Sequence, residues 1–323
     1  MSLEIAKLSR SHGNNWILRD VDLTFSEGRV FGICGGTASG KSTLLRVLAG
    51  QLKPDGGSVR FDGLDITKVS AKNRGIALCA AEGVRGILDA FGIGSQKESS
   101  GERQIKALDE AIANAGKVLL FDDPFNQVDE YRRQECIEKI RRAARSHDRI
   151  IIFASSDFAM IAAVADEAAI LANGSITQTG TPQELYEYPE LIDTARVTGD
   201  NNLFEVRRLT SANAELPEFL TIDGGHKVFA QINEKSRLPA LNRNVMLAIR
   251  PEQISMSMGK SFPEDNLLRG VVTAIKFRGA TTLVDFDAAG LKLKARVFRT
   301  VGLSVGDECM LGLPPHRIII LKD

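Results

Sequence analysis

The residues best placed to do chemistry are Gly35-Gly36-Thr37-Ala38-Ser39-Gly40-Lys41-Ser42-Thr43. A Gly, four residues and then Gly-Lys-Ser is the spacing of a phosphate-binding loop. Backbone N–H groups of such a loop curl around phosphate oxygens, and the helix behind it adds partial positive charge. Lys41 is expected to reach the β- and γ-phosphates of a nucleotide, and the Ser42 hydroxyl to ligate Mg²⁺. The alternative is a glycine-rich turn that merely precedes a lysine, and the flanks weigh against it. A second group is Asp122-Asp123, which follows the apolar run Val118-Leu119-Leu120-Phe121. A carboxylate at the C-terminal edge of a buried parallel strand lies where ligands of open α/β sheets bind. Such an aspartate can instead cap a helix; beside a phosphate loop, Asp122 reads as a second Mg²⁺ ligand.

The elements that must carry these groups are visible on either side. Arg29 to Cys34 is short and mostly apolar, a buried strand, and Thr43 to Gly50 has apolar residues at helical spacing and a glycine stop. Upstream, Leu3 to Leu8 alternates in period two, Gly13-Asn14-Asn15 is a turn, and Trp16-Ile17-Leu18 and Val21 to Phe25 are further strand-like runs. An antiparallel β layer leading into the loop strand follows. Gly56 to Ile66 adds a β piece with Asp62-Gly63 as a hairpin turn. Ile105, Leu108 and Ile112 share one helical face, with Ser99 or Ser100 as the cap. Arg149 to Ala154 is another buried strand, so strands alternate with helices as in an α/β sheet. From about residue 200 the pattern becomes all-β, with runs at 227–232, 271–277, 281–286 and 291–298 and a turn at Asp287-Ala288-Ala289-Gly290.

The bulk numbers exclude several classes. At 323 residues the chain favours two domains over one. Apolar residues at 43% and charged ones at 25% are ordinary for a globular protein with a sizeable core. Lys+Arg and Asp+Glu balance at 41 each, so there is no electrostatic case for a nucleic-acid partner. Cys34, Cys79, Cys136 and Cys309 are widely spaced, which points to neither a zinc site nor a disulfide framework and fits a reducing cytosol. No apolar stretch is long enough to span a bilayer, and no signal peptide is evident. A membrane, if one matters, is reached through a partner.

Phosphate loop, Ser-Gly signature opening a helix, strand-Asp-Asp-Pro and Asn126-Gln127-Val128-Asp129 occur in the order seen in the nucleotide-binding subunits of ABC transporters. The chain resembles that family from about residue 3 to 190. Gly180 to Pro189 looks like the segment ending the ATPase domain in sugar, polyamine and iron importer subunits, and Leu247-Ala248-Ile249-Arg250-Pro251-Glu252 resembles an element of their accessory β-barrel. The resemblance implies an α/β P-loop ATPase domain over 1–197, with an antiparallel β layer, and an all-β, OB-like barrel over 198–323. It implies ATP and Mg²⁺ as cofactors and a homodimer, or a heterodimer with another ATP-binding subunit. It also implies integral membrane permease subunits as partners and a peripheral place on the cytoplasmic face of the plasma membrane.

Several family positions are altered. His12 stands where an aromatic stacks on adenine, with Ile17 beside it; an exposed histidine is an equal reading. Ala81 stands where a Gln senses Mg²⁺ and water. Asp123 replaces the general-base Glu and is shorter by about one methylene, which costs a group whose position is critical. Ser156 replaces the switch His. The signature is Glu98-Ser99-Ser100-Gly101-Glu102, so Ser99 and Gly101 survive, while Glu102 brings a carboxylate toward the partner's γ-phosphate. Only residues 82–98 separate Ala81 from Ser99, which leaves room for a reduced helical subdomain where relatives dock on the permease. The residues that hold phosphate and magnesium are intact, and those that fire and transmit hydrolysis are not. The first reading is an importer ATP-binding subunit with slow or absent hydrolysis. The second is a non-transport regulatory dimer that binds ATP with little turnover, and a P-loop kinase is a distant third.

Overall fold

The structure, a computed structural model, describes residues 1–80, 99–114, 116–125, 127–146, 148–209, 213, 215–232, 238–259, 266–299 and 302–322. Ala81, the stretch expected to hold the reduced helical subdomain, and Asn126 therefore lie outside the described residues. Two compact units emerge, Met1–Leu185 and Tyr186–Asp323.

In the first unit, β1 (Ser2–His12) pairs antiparallel with β2 (Asn15–Ser26) and with β4 (Gly56–Phe61), giving the order β2-β1-β4-β5 with β5 (Leu64–Asp65). Leu3, Ile5 and Leu8 from β1, and Leu18, Val21, Leu23 and Phe25 from β2, turn inward. The two runs expected at 16–18 and 21–25 are one strand. Asp20, at φ +45, takes a left-handed conformation between them, and its N–H bonds to the Ser9 hydroxyl at 3.0 Å, so the ladder continues across an irregularity.

The second sheet has the order β10-β9-β3-β8-β7-β6, built from β3 (Val30–Cys34), β6 (Ile76–Ala80), β7 (Val118–Asp122), β8 (Ile150–Ser155), β9 (Glu167–Ala172) and β10 (Ser175–Gly180). All pairs are parallel except the β9–β10 hairpin. β3 and β8 are buried along their whole length, as parallel strands covered on both faces must be. The helices are α1 (Lys41–Leu48), α2 (Ala71–Arg74), α3 (Ser100–Asn114), α4 (Glu130–Ser146), α5 (Phe158–Val164) and α6 (Pro182–Glu187). α1 buries Leu44, Leu45, Val47 and Leu48 in one core with Leu3, Phe25, Ile33 and Leu120. Each such side chain contributes roughly 2 kcal/mol of burial free energy, which holds the loop preceding α1 against both sheets. On α3 the buried residues are Gln104 and Leu108, with Ile105 and Ile112 half-buried at the edge of that face.

In the second unit, α7 (Ile192–Val197) precedes β11 (Asn202–Arg208), β12 (Glu218–Thr221), β13 (Lys227–Phe229), β14 (Asn244–Ile249), β15 (Ser255–Ser257), β16 (Asn266–Phe277), β17 (Thr282–Ala288), β18 (Leu291–Val297), β19 (Glu308–Leu313) and β20 (Ile319–Ile320). They form two five-stranded antiparallel sheets, β13-β12-β11-β14-β20 and β15-β19-β16-β17-β18, around a shared core that includes Phe204, Phe219, Leu247, Phe286 and Leu311. This is the expected OB-like, all-β architecture. The turn expected at 287–290 is tighter than its residues implied. β17 and β18 run to Ala288 and from Leu291, leaving only Ala289 (φ +50) and Gly290 (φ +101) in a primed hairpin turn. The Ala195 side chain of α7 packs with Ala248, Ile319 and Leu321.

Candidate nucleotide site

The phosphate loop leaves β3 at Cys34 and enters α1 at Lys41. Its sequence permits no bulk at two points. A Cβ on Gly35 would lie 2.3 Å from the Leu171 carbonyl oxygen, and Gly40 has φ +108 with the Ile17 carbonyl oxygen 2.8 Å from where a Cβ would be. Gly40 offers no side-chain cap, and the first turn of α1 carries no acidic residue. The N–H groups at this helix end are thus left for an anion. Gly36, Thr37 and Ala38 form the exposed crest of the loop, with Ala38 at φ +63, and Thr43 is half-buried in the first turn of α1.

Two polar groups inside the loop are buried. Lys41 is only 6% exposed, and its ammonium donates to the carbonyls of Gly35 (2.7 Å) and Gly36 (3.0 Å). Ser39 Oγ is buried with no hydrogen-bond partner among the described residues. A buried ammonium hydrogen-bonded only to carbonyls has a donor to spare, and an orphaned buried hydroxyl is costly unless a ligand completes it. The residues present therefore fit the phosphates of a nucleotide.

Asp122 ends β7 beside α1, and the Ser42 hydroxyl hydrogen-bonds its carboxylate. Burial pushes the Asp122 carboxyl up from its ordinary value; the Ser42 bond and the Arg46 and Lys41 charges pull it back, while Asp123 adds to the rise. The pair expected to hold magnesium is thus brought together. Burial also pushes the Cys34 thiol to about 12, so beneath the loop it is packing rather than a nucleophile.

Asp123 is in the left-handed region, φ +45, and its N–H is fixed by the Ala154 carbonyl at 2.9 Å. Its Oδ1 accepts a 2.7 Å hydrogen bond from Ser155 Oγ. Ser156, the residue singled out at the switch position, is exposed; it lines a cavity of about 230 Å³ with Asp123, Ser155, Asp157 and Arg133 above Phe125, Phe153 and Met160. Ser155 was missed by sequence reasoning, because its contact with Asp123 is made between neighbouring strands.

Ser99 and Glu102 form a reciprocal capping box at the start of α3. Glu102 N–H donates to Ser99 Oγ at 3.2 Å, and Glu102 Oε2 accepts from Ser99 N–H at 2.9 Å and from Ser99 Oγ at 3.1 Å. The signature hydroxyl is therefore engaged within its own chain. Gly101 lies against the chain before α4, where a Cβ would stand 2.7 Å from the Gln127 carbonyl oxygen. His12 is exposed at the end of β1, paired across the turn with Asn15, and Ile17 is half-buried with its carbonyl against Gly40. Trp16, the single tryptophan, is 50% exposed on the same hairpin.

With this geometry in hand, the comparisons are specific. An ABC transporter family model matches residues 18–87 and a TOBE domain model matches residues 247–321. A sulfate/thiosulfate import ATP-binding protein, CysA of Bacillus cereus, is 30% identical over 263 residues, covering 68% of this chain and 74% of its own. The chain belongs to the ATP-binding subunits of ABC importers. Other relatives in this family are the spermidine/putrescine import ATP-binding protein PotA of Protochlamydia amoebophila and the Fe(3+) ions import ATP-binding protein FbpC of Photorhabdus laumondii. PotA is 29% identical over 315 residues, covering 85% of this chain and 83% of its own. FbpC is 25% identical over an alignment of 357 residues, covering 99% and 97%. The fold is also that of a bacterial Atm1-family ABC exporter with ATP bound, at TM-score 0.51 and 20% identity over 61% of this chain and 41% of that one. As an ABC-importer subunit with a TOBE domain, the chain carries Gly35–Thr43, the Ser42–Asp122 pair and Ser99–Glu102 on the elements just described.

Proposed function

We propose that this chain binds MgATP through Lys41, Ser39, Ser42 and Asp122 and couples that binding to a membrane permease during solute uptake, from the cytoplasmic face. The observation that carries the reading is the buried Lys41 ammonium in the same loop as the orphaned Ser39 hydroxyl, a cradle fitted to phosphate. Bound MgATP supplies the phosphoanhydride and the divalent charge. The protein's own residues bind the phosphates, set the position of Asp122 through Ser42, and hold Asp123 at the end of β7. Hydrolysis is slow, because the candidate base is an aspartate, about one methylene shorter than a glutamate, and the signature hydroxyl of Ser99 is engaged by Glu102. The relatives carry names for sulfate, polyamine and ferric iron uptake, so these names do not single out one solute for this chain.

Trp16 makes the test direct. It is the one tryptophan, and the next residue, Ile17, presents its carbonyl to Gly40. Titration with MgATP is expected to change Trp16 emission with a micromolar-to-millimolar midpoint, matched by calorimetry, and Lys41→Ala is expected to abolish both signals. Calorimetric binding that survives Lys41→Ala would show the phosphates to be held elsewhere.

A further inference from the structure

We infer that Ser155 is a positioning residue for Asp123, holding the short carboxylate toward the phosphate-loop side of the sheet. The inference deepens the proposed function and rests on its assignment of the nucleotide site. β8 lies between β7, which ends at Asp122, and β3, which leads into the phosphate loop. Cys34 at the base of the loop is in register with Ser155, and Asp122 with Ala154. A bond from Asp123 to Ser155 therefore draws the carboxylate across the sheet in the direction of the loop.

The polarity of that bond is set by its surroundings. Ser155 is 3% exposed, and its oxygen accepts the Asp157 N–H at 3.1 Å. Its single hydroxyl proton is then free to point at Asp123 Oδ1, 2.7 Å away. Asp157 is itself fixed, because its side chain caps α5 by accepting from Ala159 N–H at 2.9 Å. Asp123 is held from the backbone side as well, by its N–H bond to Ala154. A charge-assisted hydrogen bond between two such anchored groups fixes a side-chain position more firmly than a solvent-exposed one. A glutamate at position 123 would extend past the Ser155 oxygen and depend on it less. The serine is thus matched to the aspartate that this chain has in place of a longer base.

Two measurements on the full chain test this. The first needs no nucleotide: denaturant midpoints for wild type, Ser155→Ala, Asp123→Ala and the double variant. A shared bond predicts that the double variant's shift is smaller than the sum of the single shifts, whereas additive shifts would show that the two side chains do not interact. The second is single-turnover ATP hydrolysis alongside ATP affinity. Ser155→Ala is expected to leave affinity within about twofold and slow turnover about tenfold. Ser155→Thr, whose hydroxyl can make the same bond, is expected to keep the wild-type rate. In an Asp123→Ala background the Ser155→Ala effect should disappear. Wild-type turnover in Ser155→Ala, a loss confined to affinity, or an undiminished effect without the Asp123 carboxylate each overturns the inference. Absence of ATP binding by wild type would instead bring down the proposed function, and this role with it, whatever the midpoints show about the bond.

Discussion

Asp123 and its neighbour Asp122 face different neighbours, because the chain bends after β7 and enters the left-handed region at Asp123. Asp122, still within β7, turns toward Ser42 and Lys41, while Asp123, in the left-handed region, turns toward β8. That separation suits the proposed division of labour between a magnesium ligand and a base. On this division, Asp123→Glu is expected to raise ATP turnover several-fold at unchanged ATP affinity, because the added methylene lets the carboxylate reach further without disturbing Asp122. Steady-state phosphate release measured beside calorimetric affinity decides it, and a rate no higher than wild type would place the limit elsewhere. The phosphate loop and Asp122 were legible in the sequence because their chemistry depends on fixed local spacing. Ser155 was not, because its role comes from a β7–β8 neighbour relation that no local pattern records. Ser39 was read as part of the loop, but its buried hydroxyl without a partner becomes visible only once the fold has removed its water.

At the scale of elements, α3 shows how one substitution can serve local stability against assembly. Its capping box satisfies two N–H groups that would otherwise be unpaired, so Glu102 stabilises the helix that carries the signature. The Ser99 backbone and hydroxyl bonds hold the Glu102 carboxyl below its ordinary value of 4.5, with Arg132 nearby at 3.8 Å. Because the folded value is depressed, this contribution is fully present above the unfolded value and is lost as the pH falls through the folded one. Unfolding midpoints of wild type and Glu102→Gln, compared as the pH is lowered from neutral to about 3, are expected to converge only in the acid range. A constant gap would show that the charge of Glu102 plays no part. Gln keeps the box but removes the charge that would face a partner's nucleotide. MgATP-dependent association, read by sedimentation, is therefore expected to be stronger in Glu102→Gln than in wild type. The helix was readable from the spacing of Ile105, Leu108 and Ile112, with the cap left open between Ser99 and Ser100. That the signature hydroxyl is engaged by that same cap required the hydrogen-bond geometry.

At the scale of the whole molecule, the two units rest on different devices. In the first, α1 packs its apolar face between two sheets, and in the second a buried arginine gathers a chain segment beside the β core. Arg250 is 1% exposed and donates from Nη2 to the Tyr186 carbonyl (2.6 Å) and Thr198 Oγ1 (2.8 Å), and from Nη1 to the Asp200 carbonyl (3.2 Å). Its guanidinium stacks 3.8 Å from the centre of the Tyr186 ring, whose hydroxyl donates to Glu252. Burial, with the Glu252 bond, pushes the Tyr186 hydroxyl up to about 12, so it stays protonated and the clamp is intact across the neutral range. Burial also lowers Arg250 from its ordinary value, yet guanidinium remains charged in proteins. The segment Tyr186 to Asp200 thus has two carbonyls and the Thr198 hydroxyl gathered onto one fork, which a single ammonium cannot span. Arg250→Lys is therefore expected to cost on the order of 3 kcal/mol, since charge-assisted bonds are lost and acceptors are left buried without a donor. Calorimetry of the full chain with and without MgATP reads the effect. The transition of the second unit should fall, while nucleotide still raises the transition of the first. A wild-type scan for Arg250→Lys would show that the charge alone, rather than the fork, holds this segment to the β core.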